Sequence, residues 1–170
     1  LWGFFFGTIS LVCYLQETRF MASTITAASA TVTITESITL NGVDQGGTNT
    51  LTIANVNESD RRIVTAPSSG EIDIIELDTN NGQGKFVRAN VKYIRITNLD
   101  DTNFIRVRVK KSSADTFDVK VLAGSSFMLT SGSIDANTSG GAFSAFVDLD
   151  NISVQADTAS CDVEFCVLSV

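Results

Sequence analysis

The sequence predicts an all-β chain folded as an antiparallel β-sandwich, jelly-roll-like or immunoglobulin-like. Three observations predict it. Polar and apolar residues alternate with a period of two over several stretches, the pattern of strands with one face buried and one in water. The alternating residues are largely Thr, Val and Ile, whose branched Cβ suits a pleated surface. No stretch of about a dozen residues carries the i, i+3, i+4, i+7 apolar spacing of an amphipathic helix.

Taken in chain order, Thr31-Val32-Thr33-Ile34-Thr35 alternates, and so does Leu51-Thr52-Ile53. Asn41-Gly42 and Gly46-Gly47 punctuate the interval between them. A strand near Arg62 to Thr65 ends at Pro67-Ser68-Ser69-Gly70, and Glu71-Ile72-Asp73-Ile74 begins the next. Asn80-Asn81-Gly82-Gln83-Gly84 reads as a loop, as do Ala123-Gly124-Ser125-Ser126 and Asn137 to Gly141. The clearest hairpin spans Val91 to Lys110, around Leu99-Asp100-Asp101-Thr102-Asn103. Phe117-Asp118-Val119-Lys120-Val121 alternates again. Roughly nine or ten short strands at this spacing suit a sandwich or barrel. No long helices alternate with them, which argues against a parallel α/β sheet.

Composition bounds the chemistry. The chain has 170 residues, 12 Lys plus Arg against 19 Asp plus Glu, and no His, for a formal net charge of −7. A 44% hydrophobic fraction with 18% charged residues belongs to a folded chain of one domain. The missing histidine removes Ser-His-Asp triads, Cys-His dyads and His-bearing zinc sites. The acidic balance argues against nucleic acid as a partner, because phosphate binding draws on Lys and Arg.

Leu1 to Leu15 carries no charge and the first Met is Met21. The run is shorter than the roughly 20 apolar residues of a bilayer span, so no membrane partner is expected. The segment 1–20 is read as upstream sequence ahead of a start at Met21, or as a remnant signal segment lacking a basic n-region. Residues 21–30 then form a flexible N-terminal arm, rich in small and hydroxyl side chains. Residues 31–170 form a single β-sandwich domain.

One side of the expected hairpin is a candidate contact face. If Ile105, Val107 and Val109 point inward, then Phe104, Arg106, Arg108 and Lys110 point outward. On the partner strand Ile94 and Ile96 belong inside, which sends Tyr93 and Arg95 out. Three arginines, one lysine and two aromatics would thus share a face, fit for an acidic partner or for acidic loops of another copy. The competing reading is a solvated face neutralised by Asp118 and nearby carboxylates across the sheet. The same face could in principle stack single-stranded nucleic acid, which the net charge disfavours.

Other motifs are weaker. Asp78-Thr79-Asn80-Asn81-Gly82 resembles the start of a calcium loop, but the Gly comes one place early and no Glu closes the loop. Asp148 and Asp150, and Asp100 and Asp101, read as turn and solubility residues. Nineteen acidic residues guarantee chance carboxylate pairs, and none is selected as a glycosidase pair. No nucleophile–base pair, metal site or cofactor site is nominated, and no enzymatic activity is expected. Cys161 and Cys166 in one extended strand point to opposite faces, about 16 Å apart, and cannot bridge. Asn57-Glu58-Ser59, Asn137-Thr138-Ser139 and Asn151-Ile152-Ser153 match the glycosylation pattern by chance in so Asn-, Ser- and Thr-rich a chain.

Three stretches carry a resemblance: Lys92 to Lys111 (KYIRITNLDDTNFIRVRVKK), Phe117 to Leu129 (FDVKVLAGSSFML) and Gly140 to Val167 (GGAFSAFVDLDNISVQADTASCDVEFCV). Over Met21 to Val170 the chain resembles small virion structural proteins of tailed bacteriophages, particularly marine ones, of the capsid-decoration or tail-accessory type. The resemblance implies a non-enzymatic β-sandwich subunit, present in many copies on a virion assembled in the host cytoplasm. Its implied partners are capsid or tail proteins of the same particle and sister copies in a homo-oligomer. The alternative is a secreted bacterial adhesin or carbohydrate-binding sandwich. That reading needs a working signal in 1–20 and an exposed aromatic platform, yet the only Trp is Trp2.

Overall fold

The computed structural model describes residues 25–111, 115–130 and 149–170. Its first element is the threonine-rich strand β1 (Ala28–Glu36). The chain then turns back through the short strands β2 (Thr39–Leu40) and β3 (Val43–Asp44) into β4 (Gly47–Val56). The four make one long antiparallel ribbon. Glu36 faces Gly47, and the same register resumes nearer the tip with Thr39 opposite Asp44 and Leu40 opposite Val43. At the tip Asn41 and Gly42 both have positive φ, 52° and 80°, as a two-residue type I′ turn requires. Gly46 is required by packing, since a Cβ there would lie 2.3 Å from the Glu36 carbonyl oxygen. Near its base β4 bulges, with Asn55 at φ 61°, so that Ala28 pairs with Val56 while Ala30 pairs with Ile53.

Ala28 to Ala30 of the expected arm belong to β1 and pair across to Ile53 and Val56. Of the expected arm, residues 21–24 lie outside the described residues, as does the whole of 1–20.

Nine further strands build the body: β5 (Glu58–Ala66), β6 (Ile72–Asp78), β7 (Lys85–Val87), β8 (Val91–Asn98), β9 (Ile105–Lys111), β10 (Asp115–Val121), β11 (Ser126–Leu129), β12 (Asn151–Ala156) and β13 (Cys161–Ser169). They form two sheets, ordered β10-β9-β12-β6-β7 and β11-β8-β13-β5. Every pairing is antiparallel except that of β6 with β7. Among the described residues there is no helix, and none long and apolar enough to cross a membrane. The fold is therefore an all-β sandwich, as the alternation predicts.

The inward residues of both sheets meet in one core. Ile105, Val107 and Val109 of β9 and Ile152 and Val154 of β12 pack with Ile94 and Ile96 of β8 and Val163, Phe165 and Val167 of β13. Each such side chain removed from water contributes roughly 1.5–3 kcal/mol. Strand β6 shows how a break in alternation is absorbed. Asp73-Ile74-Ile75-Glu76 puts two apolar residues in succession, and the pairing with β12 slips at that point. The bulge buries both isoleucines while Asp73 and Glu76 stay exposed.

The expected hairpin from Val91 to Lys110 does not form. β8 and β9 lie in different sheets, so Leu99 to Phe104 is a corner between the two layers. Asn98, wholly buried, holds it. Its Nδ2 donates to the carbonyl oxygens of Asn103 at 2.8 Å and Val121 at 3.3 Å, and its Oδ1 accepts from the Asp100 amide at 3.1 Å. Asp100 completes the turn by accepting from the amides of Thr102 and Asn103 at 2.8 and 2.6 Å. The true hairpin is β9–β10.

Candidate functional site

The corner between β8 and β9 divides the expected contact face in two. Arg106, Arg108 and Lys110 lie on the outer surface of the β9 sheet, whereas Tyr93 and Arg95 lie on the outer surface of the β8 sheet, across the sandwich. Phe104 precedes β9 and is half-buried, with the Lys120 ammonium 3.9 Å from its ring centroid. The six residues do not form one surface.

On the β9 side Arg106, Arg108 and Lys110 each have an acidic neighbour, some set beside them by register and one, Glu71, by the approach to β6. Asp118 of β10 pairs with Arg108, and Ser153 of β12 pairs with Arg108 on one side and Asp73 on the other. Arg108 donates to Asp118 at 2.7 and 2.8 Å and to Glu71 at 3.2 Å. Lys110 reaches Glu71 at 2.6 Å and Asp73 at 3.3 Å. Arg106 donates to Gln155 and reaches Glu71 at 3.5 Å. The Arg108 hydrogen bond holds the Asp118 carboxyl below the usual carboxylate range. Burial would raise the Asp73 carboxyl, but hydrogen bonds from Ser153 and Lys110 outweigh it and lower it. Arg106, Arg108 and Lys110 are thus engaged by the chain's own carboxylates.

On the β8 side the centre is Glu164 of β13. Arg61 donates to it at 2.9 and 2.6 Å from β5, and Arg95 donates to it from β8. Hydrogen bonding from Arg61, then from Arg95, lowers its pKa despite burial. Tyr93 is 4% exposed and its hydroxyl lies 3.8 Å from the Met128 sulfur. It is a packed residue, not an exposed anchor. Cys166 sits on this surface between Arg95 and Arg61 by register, while Cys161 faces the core, and both thiols are free. The two cysteines thus occupy opposite faces as expected. Burial raises both thiols, which disfavours the reactive thiolate.

Acidic motifs resolve into local structure. Asp78 accepts from the Thr79 amide at 2.6 Å and from Lys85 at 3.3 Å. Asp100 caps its own turn as described. Asp148 lies outside the described residues. Among the described residues no three His, Cys, Asp or Glu side chains gather as a metal site. A groove of about 730 Å³ lies between the β4–β5 junction and the loop before β7, lined by Asn57, Glu58, Asn81, Lys85 and Asn90 among others. Among the described residues no aromatic side chain lines it.

A further surface is the ribbon, which alternation alone gives as two separate strands. Register places Thr31 opposite Thr52, Thr33 opposite Thr50 and Thr35 opposite Thr48 on one face. The other face pairs Ala30 with Ile53, Val32 with Leu51 and Ile34 with Asn49. Only the base of that apolar face is covered, with Ile53 at 6% exposure. Ile34, Ile38, Leu40 and Val43 are 39–60% exposed. The signal was present in the alternation flanking Asn41-Gly42, which is a hairpin pattern on a larger scale. Comparison with protein-family models finds no match, and comparisons with curated proteins and with solved structures find none either.

Proposed function

We propose that this chain is a non-enzymatic structural subunit of a tailed-bacteriophage virion, binding the capsid or tail surface in many copies as a decoration, stabilising or tail accessory protein. The observation that carries the reading is the ribbon of residues 28–56. The core cluster of the described residues is built without the ribbon, and an exposed, two-faced extension suits contact with another surface. Binding in many copies lets individually weak contacts sum to a firm attachment. A subunit that binds only the assembled lattice stabilises it by mass action.

The test is to sequence the DNA on both sides of the reading frame and to probe purified virions with an antibody raised against the full chain. Portal, capsid or tail genes alongside, with the protein in the virion fraction, are the expected result. Secretion or surface-anchoring genes, with the protein on the cell envelope, would replace this reading with the adhesin.

A further inference from the structure

We infer that the outer edge of β1 is a self-association site, at which two copies pair β1 with β1 antiparallel about Val32. The inference rests on the contact role just proposed and names the partner as a second copy of this chain.

A free strand edge invites pairing with another chain, and proteins guard such edges with charge, inward-pointing charge, proline, bulges or shortness. The free edges of the two sandwich sheets are guarded. Edge strand β5 carries Arg61 and Arg62, and Arg62 turns over the Phe165 ring at 5.0 Å while pairing with Asp60 at 2.7 Å. Edge strand β10 carries Asp118 and Lys120. Edge strands β7 and β11 have only three and four residues. In the ribbon, β4 is bent by the Asn55 bulge. β1 has none of these devices. It runs nine residues without proline, is mostly exposed, and carries no charge until Glu36 at its end. Among the described residues its outer edge has no strand partner.

Charge and register select the second copy and the direction. Parallel pairing would place Glu36 beside Glu36. Antiparallel pairing about the central Val32 sets the two carboxylates at opposite ends, about 26 Å apart at the usual rise and beyond screening range at physiological salt. The same register puts Thr31 opposite the other copy's Thr33, extending the threonine ladder, and Ile34 opposite its Ala30. Threonine pairs and apolar pairs both favour cross-strand contact. The product is a four-stranded sheet, β4-β1 joined to its two-fold mate, with one threonine face and one apolar face. Such a two-fold contact is self-complementary and closed.

The experiment is sedimentation equilibrium of the full chain, with the sandwich followed by thermal unfolding. The expected result is a concentration-dependent dimer. V32K and V32E each weaken it at least tenfold without unfolding the sandwich, and mixing the two restores it, because Val32 faces itself. The pairing direction is read at the flanking positions. A30E mixed with I34K restores association, whereas I34E mixed with I34K does not; the reverse result establishes parallel pairing and overturns the proposal. A monomer at every concentration, or a dimer indifferent to V32K, also overturns it. Neither outcome touches the virion reading, which the neighbouring genes and the virion fraction decide separately.

Discussion

Arg108 and Asp118 stand directly opposite one another on β9 and β10 and share two hydrogen bonds, Nε to Oδ1 at 2.7 Å and Nη2 to Oδ2 at 2.8 Å. This fork-to-fork contact is the strongest geometry open to a surface cation. It also means that binding an outside anion at Arg108 requires giving up Asp118. Replacing Arg106 and Arg108 by Ser is expected to leave the fold intact, lower the melting temperature only slightly and leave self-association unchanged. In the Arg108→Ser variant the Asp118 carboxyl should titrate back toward its ordinary range, which carboxyl NMR would follow. A loss of association with normal folding would restore this surface as a contact site.

Acid should destabilise the protein in a definite window. Asp118, Asp73 and Glu164 are all held below the usual carboxylate range in the fold, by Arg108, by Ser153 and Lys110 over the opposing effect of burial, and by Arg61 and Arg95. A carboxylate depressed in the folded state contributes stability that is complete above its unfolded pKa and disappears as pH falls through its folded pKa. Stability is therefore flat with respect to these groups near neutrality and declines from about pH 4 downward. Urea midpoints at pH 7, 4 and 3 would measure it. Asp118→Asn should flatten part of the decline, and an unchanged slope would remove Asp118 from the account.

Glu164 is the keystone of the other outer surface. Its side chain is 12% exposed and bridges arginines from strands on either side of β13. Glu164→Ala leaves Arg95, itself only 27% exposed, without its carboxylate. The expected loss is about 1–2 kcal/mol, near the lower part of the range for hydrogen bonds to charged groups because Arg61 is solvent-screened. Chemical denaturation of the variant checks the figure. A loss within error of zero would reduce the bridge to a surface ornament of the sheet.

The two described cysteines should behave differently toward a thiol reagent. Cys161 lies in the core and should react only on unfolding, whereas Cys166 on the outer surface should react slowly in the native protein. Peptide mapping should recover both as free thiols. A mapped bridge between them would contradict their placement on opposite faces of β13.

Much of this architecture was legible before any pairing was known. The alternation at Thr31–Thr35, Ile105–Val109 and Cys161–Cys166 identified strands and the direction of each side chain, because successive residues of a strand face opposite ways whatever lies beside it. The positive φ of Asn41 and Gly42 was likewise implicit in an Asn-Gly pair. Neighbourhood was not legible. Leu99 to Asn103 has the composition of a hairpin turn, yet it is a corner between sheets, because buried Asn98 bonds forward to Asn103 and Val121 and the amide of Leu99 bonds to the Asp162 carbonyl, far along the chain. That change sent Tyr93 and Arg95 to one surface and Arg106, Arg108 and Lys110 to the other.

What the sequence by itself determined, then, was the all-β class, the strands and the inward set of Ile, Val and Phe. Only the tertiary structure decided which strands adjoin, and with that the pairing of Arg61, Arg95, Arg108 and Lys110. The physical reason is one of range. Side-chain alternation is a property of a single strand, whereas the ion pair of Arg61 with Glu164 or of Lys110 with Glu71 joins residues 103 and 39 positions apart, and such pairs exist only once the sheets have formed.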